Sequence, residues 1–136
     1  MRKTRSFPLM AAIAMIVLGI LACSGSFSTA NITDAYMAAD SDGTQRTTTF
    51  SGDQIFYCIV QVANAPEDTT LKAVWTAVAV EGEDPNLELN TTDATVGTLD
   101  TFAFHLSNDS LWPPGQYKVD IYLNDTLDRT LEFSVQ

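Results

Sequence analysis

Few residues in this chain of 136 could carry catalytic chemistry. His105 is the sole histidine, and the sequence has no Gly-x-Ser-x-Gly segment of the kind that exposes a nucleophilic serine. A general base at His105 would also need a positioned nucleophile and a partner that orients its ring. The alternation of Phe104, His105 and Leu106 instead places the imidazole on the outer face of a strand. The pattern therefore predicts a surface histidine and no enzyme.

The residue types give equally little support for a metal site. A stable transition-metal site takes several histidine or thiolate ligands, and the chain has one histidine and two cysteines. The segment Asp40-Ser41-Asp42-Gly43 resembles the start of a calcium loop, but it lacks the third acidic position and the distal glutamate of an EF-hand. We interpret this segment as a turn, with calcium binding left open, and we predict no metal and no cofactor.

The charge balance excludes one class of partner. The chain carries 17 acidic residues against 7 basic residues, a formal net charge of −10. Affinity for nucleic acid comes mainly from basic side chains that neutralise phosphates. We therefore predict no nucleic acid partner, and the ordinary interpretation of the acidity is solubility or a saline environment.

The N-terminal segment has the organisation of a signal peptide. Arg2, Lys3 and Arg5 precede an uncharged apolar run over 9–22. The run is shorter than the about 20 residues that a helix needs to cross a bilayer. We therefore predict a cleaved segment and not a permanent membrane span.

The end of this run resembles the bacterial lipobox. In Ile20-Leu21-Ala22-Cys23, an aliphatic residue and a small residue precede a cysteine. The resemblance implies cleavage before Cys23, a thioether-linked diacylglycerol and an amide-linked acyl chain such as palmitate. Ser24 is not the aspartate that retains such proteins in the inner membrane, which favours the outer or surface-facing leaflet. The alternative is a secreted soluble protein, cleaved by an ordinary signal peptidase after Ala30.

The predicted division is therefore a signal peptide over 1–22, a lipidated Cys23 with a short tether over 23–30, and a folded domain over 31–136. After cleavage the chain keeps four basic residues against 17 acidic residues, a net charge of −13. Such a surface is repelled by anionic headgroups, so membrane attachment must come from the lipid.

The remainder of the chain reads as short strands separated by turn residues. Alternation of period two, or apolar runs rich in β-branched residues, is typical of strands. These patterns occupy the segments 32–38, 47–50, 54–62, 71–80, 87–91, 102–106, 117–123 and 127–135. Seven or eight short strands in about 105 residues predict an all-β antiparallel sandwich.

Three positions resemble the immunoglobulin-like sandwich. Cys58 lies within one strand, Trp75 lies on the next, and Tyr117 occupies the place of the tyrosine corner. Val119 stands where the family has its second cysteine. The resemblance therefore implies an immunoglobulin-like or fibronectin-III-like domain without the intersheet disulfide, in which Cys58 is a small buried apolar residue.

The whole domain also resembles a group of bacterial lipoproteins that has no agreed biochemical role. The residues that carry this resemblance are Ile32-Thr33-Asp34, the segment from Trp112 to Asn124, and the segment from Thr130 to Val135. The resemblance implies the fold and the anchor, and it implies no activity.

One surface is a candidate interface. If Trp75 points inward, alternation places Val74, Val78 and Val80 outward, with Tyr122 on the neighbouring strand of the same face. A contiguous apolar patch marks a binding surface unless another strand covers it, and the segment 87–91 is a candidate cover.

Trp112 is the remaining candidate. Exposed at the rigid Pro113-Pro114 corner, it would stack on a sugar or enter a partner's pocket. The alternative, which we favour, is that Trp112 caps the end of the core.

These observations predict a lipid-anchored binding or interaction module of the cell envelope that recognises a protein or a glycan. The alternative is a structural or assembly accessory of an envelope complex.

Overall fold

The computed structural model describes residues 29–136, which form eight strands. The predicted signal peptide over 1–22 and the predicted lipidation site at Cys23 lie outside the described residues. The strands are β1 (Asn31–Ala38), β2 (Thr49–Phe50), β3 (Phe56–Ala63), β4 (Thr70–Val80), β5 (Leu87–Thr95), β6 (Thr101–Leu106), β7 (Gly115–Leu123) and β8 (Thr126–Val135). Each predicted strand is present, and β5 extends four residues beyond its predicted end at Thr91.

The strands form two sheets that pack face to face. One sheet has three strands in the order β1-β3-β6, and the other has five strands in the order β2-β8-β7-β4-β5. All neighbouring strands are antiparallel except β2 and β8, which are parallel. The predicted antiparallel sandwich of seven to eight strands is confirmed, and the two-residue parallel pair is a local exception. It arises because the chain crosses to the other sheet after β1 and still runs in the direction of β8.

Alternation along the central strands builds the core. Cys58, Val60 and Val62 of β3 face inward, and Val119 and Ile121 of β7 face them from the other sheet. Because successive side chains of a strand point to opposite faces, every second residue is buried. Cys58 is a free thiol with no exposed surface, so the prediction that it behaves as a buried apolar residue is confirmed.

The ring of Phe56 lies at the centre of an aromatic cluster that joins the sheets. Its centroid lies 4.6 Å from that of Trp112 and 6.5 Å from that of Trp75, the nearest and farthest of its partners. The other rings around it are those of Phe50, Tyr117 and Phe133. Phe56 belongs to the three-stranded sheet, whereas four of these partners lie on strands of the five-stranded sheet. Packing of aromatic rings therefore fixes one sheet against the other.

The predicted tyrosine corner is present at the start of β7. The Tyr117 hydroxyl donates a hydrogen bond of 2.6 Å to the carbonyl oxygen of Pro113. Gly115 has a φ of 152°, and a Cβ there would lie 2.5 Å from the carbonyl oxygen of Ala79. Only glycine therefore allows β7 to begin this close to the end of β4.

The connection between β1 and β2 folds over the outer face of the smaller sheet. Ile59 of β3 points away from the core, yet only 2% of it is exposed. A Cβ placed on Gly43 of this connection would lie 3.0 Å from Ile59, and the Tyr36 hydroxyl donates to the carbonyl oxygen of Gly43. The central strand β3 is therefore covered on both faces at Ile59, as its continuously apolar sequence predicts.

We expect Tyr117→Phe to lower the free energy of unfolding by about 1–2 kcal/mol, because it leaves the Pro113 carbonyl without its donor. Urea denaturation followed by tryptophan fluorescence measures this change. Tyr57→Phe is the matched control, since Tyr57 lies on the outer face of the smaller sheet and should change the stability by less than about 0.5 kcal/mol. Equal effects of the two substitutions would contradict the role of the corner.

Burial raises the pKa of the Cys58 thiol to about 12. Because the thiolate is the reactive form, we expect Cys58 in a Cys23→Ser protein to react with Ellman's reagent at pH 8 only as the protein unfolds. Immediate stoichiometric labelling in native buffer would contradict this expectation.

The same pKa has a consequence for alkaline stability. The unfolded thiol ionises near its ordinary pKa of 9.0, whereas the folded thiol stays protonated until about 12. The contribution of Cys58 to stability is therefore complete below the unfolded pKa and is lost as the pH rises towards 12. Cys58→Val should remove this part of the alkaline loss in urea denaturation measured at increasing pH.

Candidate binding surfaces

The residues that could carry chemistry lie apart from one another. His105 is exposed on the outer face of β6, with its ring centroid 6.1 Å from that of Tyr57 on β3. The prediction of a surface histidine is confirmed. Within residues 29–136, no group of three or more histidine, cysteine or acidic side chains is placed to hold a metal ion.

Asp40 organises the turn that the sequence predicted. Its carboxylate accepts hydrogen bonds from the hydroxyl of Thr44 (2.5 Å) and from the backbone N–H groups of Thr44 (3.2 Å) and Gln45 (2.9 Å). These donors, with the Thr44 hydroxyl foremost, lower the pKa of Asp40. Both carboxylate oxygens of Asp40 therefore bind the connection between β1 and β2, and the interpretation as a turn is confirmed.

The outer face of β4 and β7 is less apolar than the alternation suggested. Val74 and Tyr122 are half-buried on this face, but Val74 lies opposite Asp120 of β7. Lys72 lies opposite Tyr122, with its Nζ 4.5 Å from the ring centroid. Asp120 also lies 3.6 Å from the Nζ of Lys118. Charged side chains therefore interrupt the expected apolar patch.

Val80 is wrongly assigned to this outer face by the sequence pattern. It is 6% exposed and belongs to the core, whereas Val78 is half-buried. The pairing of β4 with β7 shifts register between Ala77 and Ala79. A β-bulge at this point reverses the alternation, so Val80 turns inward.

Trp112 is a core residue and not an exposed binding residue. It is 9% exposed, and its ring stacks on that of Phe56 with a centroid separation of 4.6 Å. The favoured interpretation, that Trp112 caps the end of the core, is confirmed.

A cavity of about 300 Å³ adjoins Trp112 and is lined by residues that include Leu89 and Tyr117. The indole Nε1 of Trp112 is buried and has no hydrogen-bond partner among the described residues.

The candidate covering strand takes a different position from the one proposed. Strand β5 pairs edge to edge with β4, from Thr70 opposite Thr95 to Ala77 opposite Leu87. It therefore widens the sheet and leaves the outer face of β4 and β7 uncovered.

A cleft between β1 and β8 is a surface that sequence reasoning missed. Its volume is about 620 Å³, within the range of ligand-binding clefts. It opens where the edge of the smaller sheet meets the edge of the larger one, and β2 covers only the end of β8. The residues that line it are Ala35, Tyr36, Met37, Arg46, Thr47, Thr48, Thr130, Leu131 and Glu132.

Arg46, which lines this cleft, and Arg129, which precedes the lining residue Thr130, are held in place by local contacts. The Arg46 guanidinium lies 3.6 Å from the ring centroid of Tyr36 and 3.2 Å from the carboxylate of Asp34. The Arg129 guanidinium lies 2.7 Å from the carboxylate of Asp128. Arg129 also donates a hydrogen bond of 2.9 Å to the carbonyl oxygen of Ile32 across the two sheets. Both cations therefore already have carboxylate partners.

We expect Val80→Asp to lower the free energy of unfolding by about 3–5 kcal/mol, because it buries a charge without a partner. Val78→Asp, two residues away on the half-exposed face, should cost about 1 kcal/mol or less. Urea denaturation of the two variants makes this comparison. A larger loss of stability for Val78→Asp than for Val80→Asp would contradict the bulge and the assignment of Val80 to the inner face of β4.

Solved structures show the same architecture. An immunoglobulin-like protein of Pseudomonas aeruginosa superposes with a TM-score of 0.56 at 17% identity, over 82% of this chain and 100% of that one. The C-terminal domain of Wzt superposes with a TM-score of 0.50 at 14% identity, over 81% of this chain and 75% of that one. No protein-family model matches the sequence, and a search of curated proteins finds no relative. The chain therefore has an immunoglobulin-like β-sandwich fold.

Proposed function

We propose that the protein is a lipid-anchored binding module of the cell envelope, without catalytic activity, and that the cleft between β1 and β8 is its binding site. The observation that carries this proposal is the cleft itself, with about 620 Å³ of open space between two strand edges. A rigid sandwich that presents such a space can bind a partner without any reacting group, because the scaffold fixes the binding residues.

The anchor proposed at Cys23 is compatible with the start of the folded domain. The Thr29 hydroxyl donates a hydrogen bond of 3.1 Å to the carbonyl oxygen of Asn64, and β1 begins at Asn31. A few residues of tether would then separate the lipid from the sandwich. Two or more acyl chains hold a protein on a membrane stably, whereas one chain gives only marginal binding.

The acidity of the described residues opposes their adsorption on a membrane surface. No helix within residues 29–136 is long and apolar enough to cross a membrane. This part of the chain carries all 17 acidic residues and four basic residues, so anionic headgroups would repel it. In this proposal the lipid holds the protein at the surface, and the acidic domain stands away from it.

We expect Cys23→Ser to move the protein from the membrane fraction to the soluble fraction, because it removes the attachment point of the lipid. Ser24→Ala is the matched control and should leave the protein in the membrane. Cell fractionation, with mass spectrometry of the mature N-terminus, makes the measurement. A soluble wild-type protein that begins at Asn31 would show ordinary cleavage after Ala30 and overturn the anchor.

The binding site can be tested on the anchored protein. We expect a photoreactive amino acid at Thr47, in the cleft, to crosslink an envelope component, whereas the same group at Thr91 on β5 should not. Equal crosslinking from both positions would contradict the cleft as the site.

A further inference from the structure

We propose that the cleft binds an extended, positively charged segment of a partner protein, which pairs with β8 as an added β-strand. This inference rests on the proposed function and specifies the ligand of the same site. It follows from the backbone groups of β8, from the opposite wall of the cleft and from the charge of the domain.

The first step is the edge of β8 beyond the end of β2, which pairs with no strand among residues 29–136. The N–H groups of Ser134 and Gln136 donate to the carbonyl oxygens of Thr48 and Phe50, so they point away from β7. Backbone groups two residues apart in a strand point to the same side. The backbone N–H and C=O groups of Thr130 and Glu132 therefore face the cleft, beyond the end of β2.

Strand β2 itself provides the template for the added strand. It pairs with β8 only at Thr49 and Phe50, opposite Ser134 and Val135. A segment bound beside Thr130 and Glu132 would extend the row of β2 along the same edge. Main-chain hydrogen bonds would give such a segment its affinity, as in other cases of strand addition.

The opposite wall supplies side-chain contacts that an isolated sheet edge lacks. Ala35, Tyr36 and Met37 of β1 line the cleft across from Leu131. The hydrogen bond from Arg129 to Ile32 joins the walls before this stretch, and the bond from Ser134 to Thr48 lies beyond it. Between these contacts lie residues 130–133, about 14 Å of strand at about 3.4 Å per residue. The cleft therefore fits a short extended segment.

The charge of the domain determines the sign of the ligand. Arg46 and Arg129 each have a carboxylate partner, whereas none of the ion pairs among residues 29–136 includes Glu132, which is exposed at the cleft. With a net charge of −13 over these residues, a second copy of the domain would be repelled. A segment with lysine or arginine side chains would be attracted instead.

The test uses synthetic peptides and the detergent-solubilised mature protein. A fluorescent nine-residue peptide of alternating valine and lysine should bind in an anisotropy titration, and a peptide of alternating valine and glutamate should bind at least tenfold more weakly. Methylation of every second backbone nitrogen removes the donors from one edge of the peptide only. Of the two methylated forms of the lysine peptide, one should lose binding and the other should retain it.

Two protein variants locate the contact. Glu132→Lys should weaken binding of the lysine peptide at least fivefold, whereas Glu88→Lys makes the same charge change on β5, at the far edge of the sheet, and should leave binding unchanged. Backbone amide chemical shifts of Thr130 and Glu132 should move on peptide addition in the wild type. This measurement does not depend on the folding of either variant.

Equal binding of the two methylated peptides, or equal effects of Glu132→Lys and Glu88→Lys, would show attraction by charge alone and overturn strand addition. Absence of peptide binding would also overturn it. If Thr47 still crosslinked an envelope component in that case, the binding function would stand with a different class of ligand.

Discussion

The packing of Phe56 against five other aromatic rings holds the two sheets together. Phe56 is fully buried on the smaller sheet, and its partners come from β2, β4, β7, β8 and the turn before β7. Burial of one large apolar side chain contributes about 1.5–3 kcal/mol, and each favourable aromatic pair adds about 0.5–1.5 kcal/mol. The intersheet disulfide that Cys58 cannot form here would contribute about 2–5 kcal/mol. Aromatic packing is therefore large enough to replace it.

The two sheets differ in size, and the edge of the larger sheet at β8 is only partly covered by β2. The larger sheet has five strands and the smaller has three, and the connection after β1 folds over the outer face of the smaller sheet around Asp40. Within this connection, only the two residues of β2 pair with β8 as a strand. The cleft between β1 and β8 is the result, because no strand of residues 29–136 fills the remainder of that edge. The proposed binding site thus depends on the path of one connection and not on any reactive side chain.

The acidity of the chain affects both the proposed membrane attachment and the proposed binding of a partner. It opposes adsorption of the domain on anionic lipid, so that the lipid proposed at Cys23 would supply the attachment. It also opposes association of two copies at their exposed strand edges, which is a general hazard of open sheets. A cationic partner is the class of ligand for which the same charge is favourable.

The sequence by itself determined the strands, the corner at Tyr117 and the outward direction of His105. Each depends on alternation or on a local turn, and these are properties of adjacent residues. The tertiary structure alone decided the inward turn of Val80, the charged neighbours of Val74 and Tyr122, and the free edge of β8 at Thr130 and Glu132. A bulge, a cross-strand neighbour and an unpaired edge are set by which strands meet and in which register. Such pairings join residues distant in the chain, and no local periodicity records them.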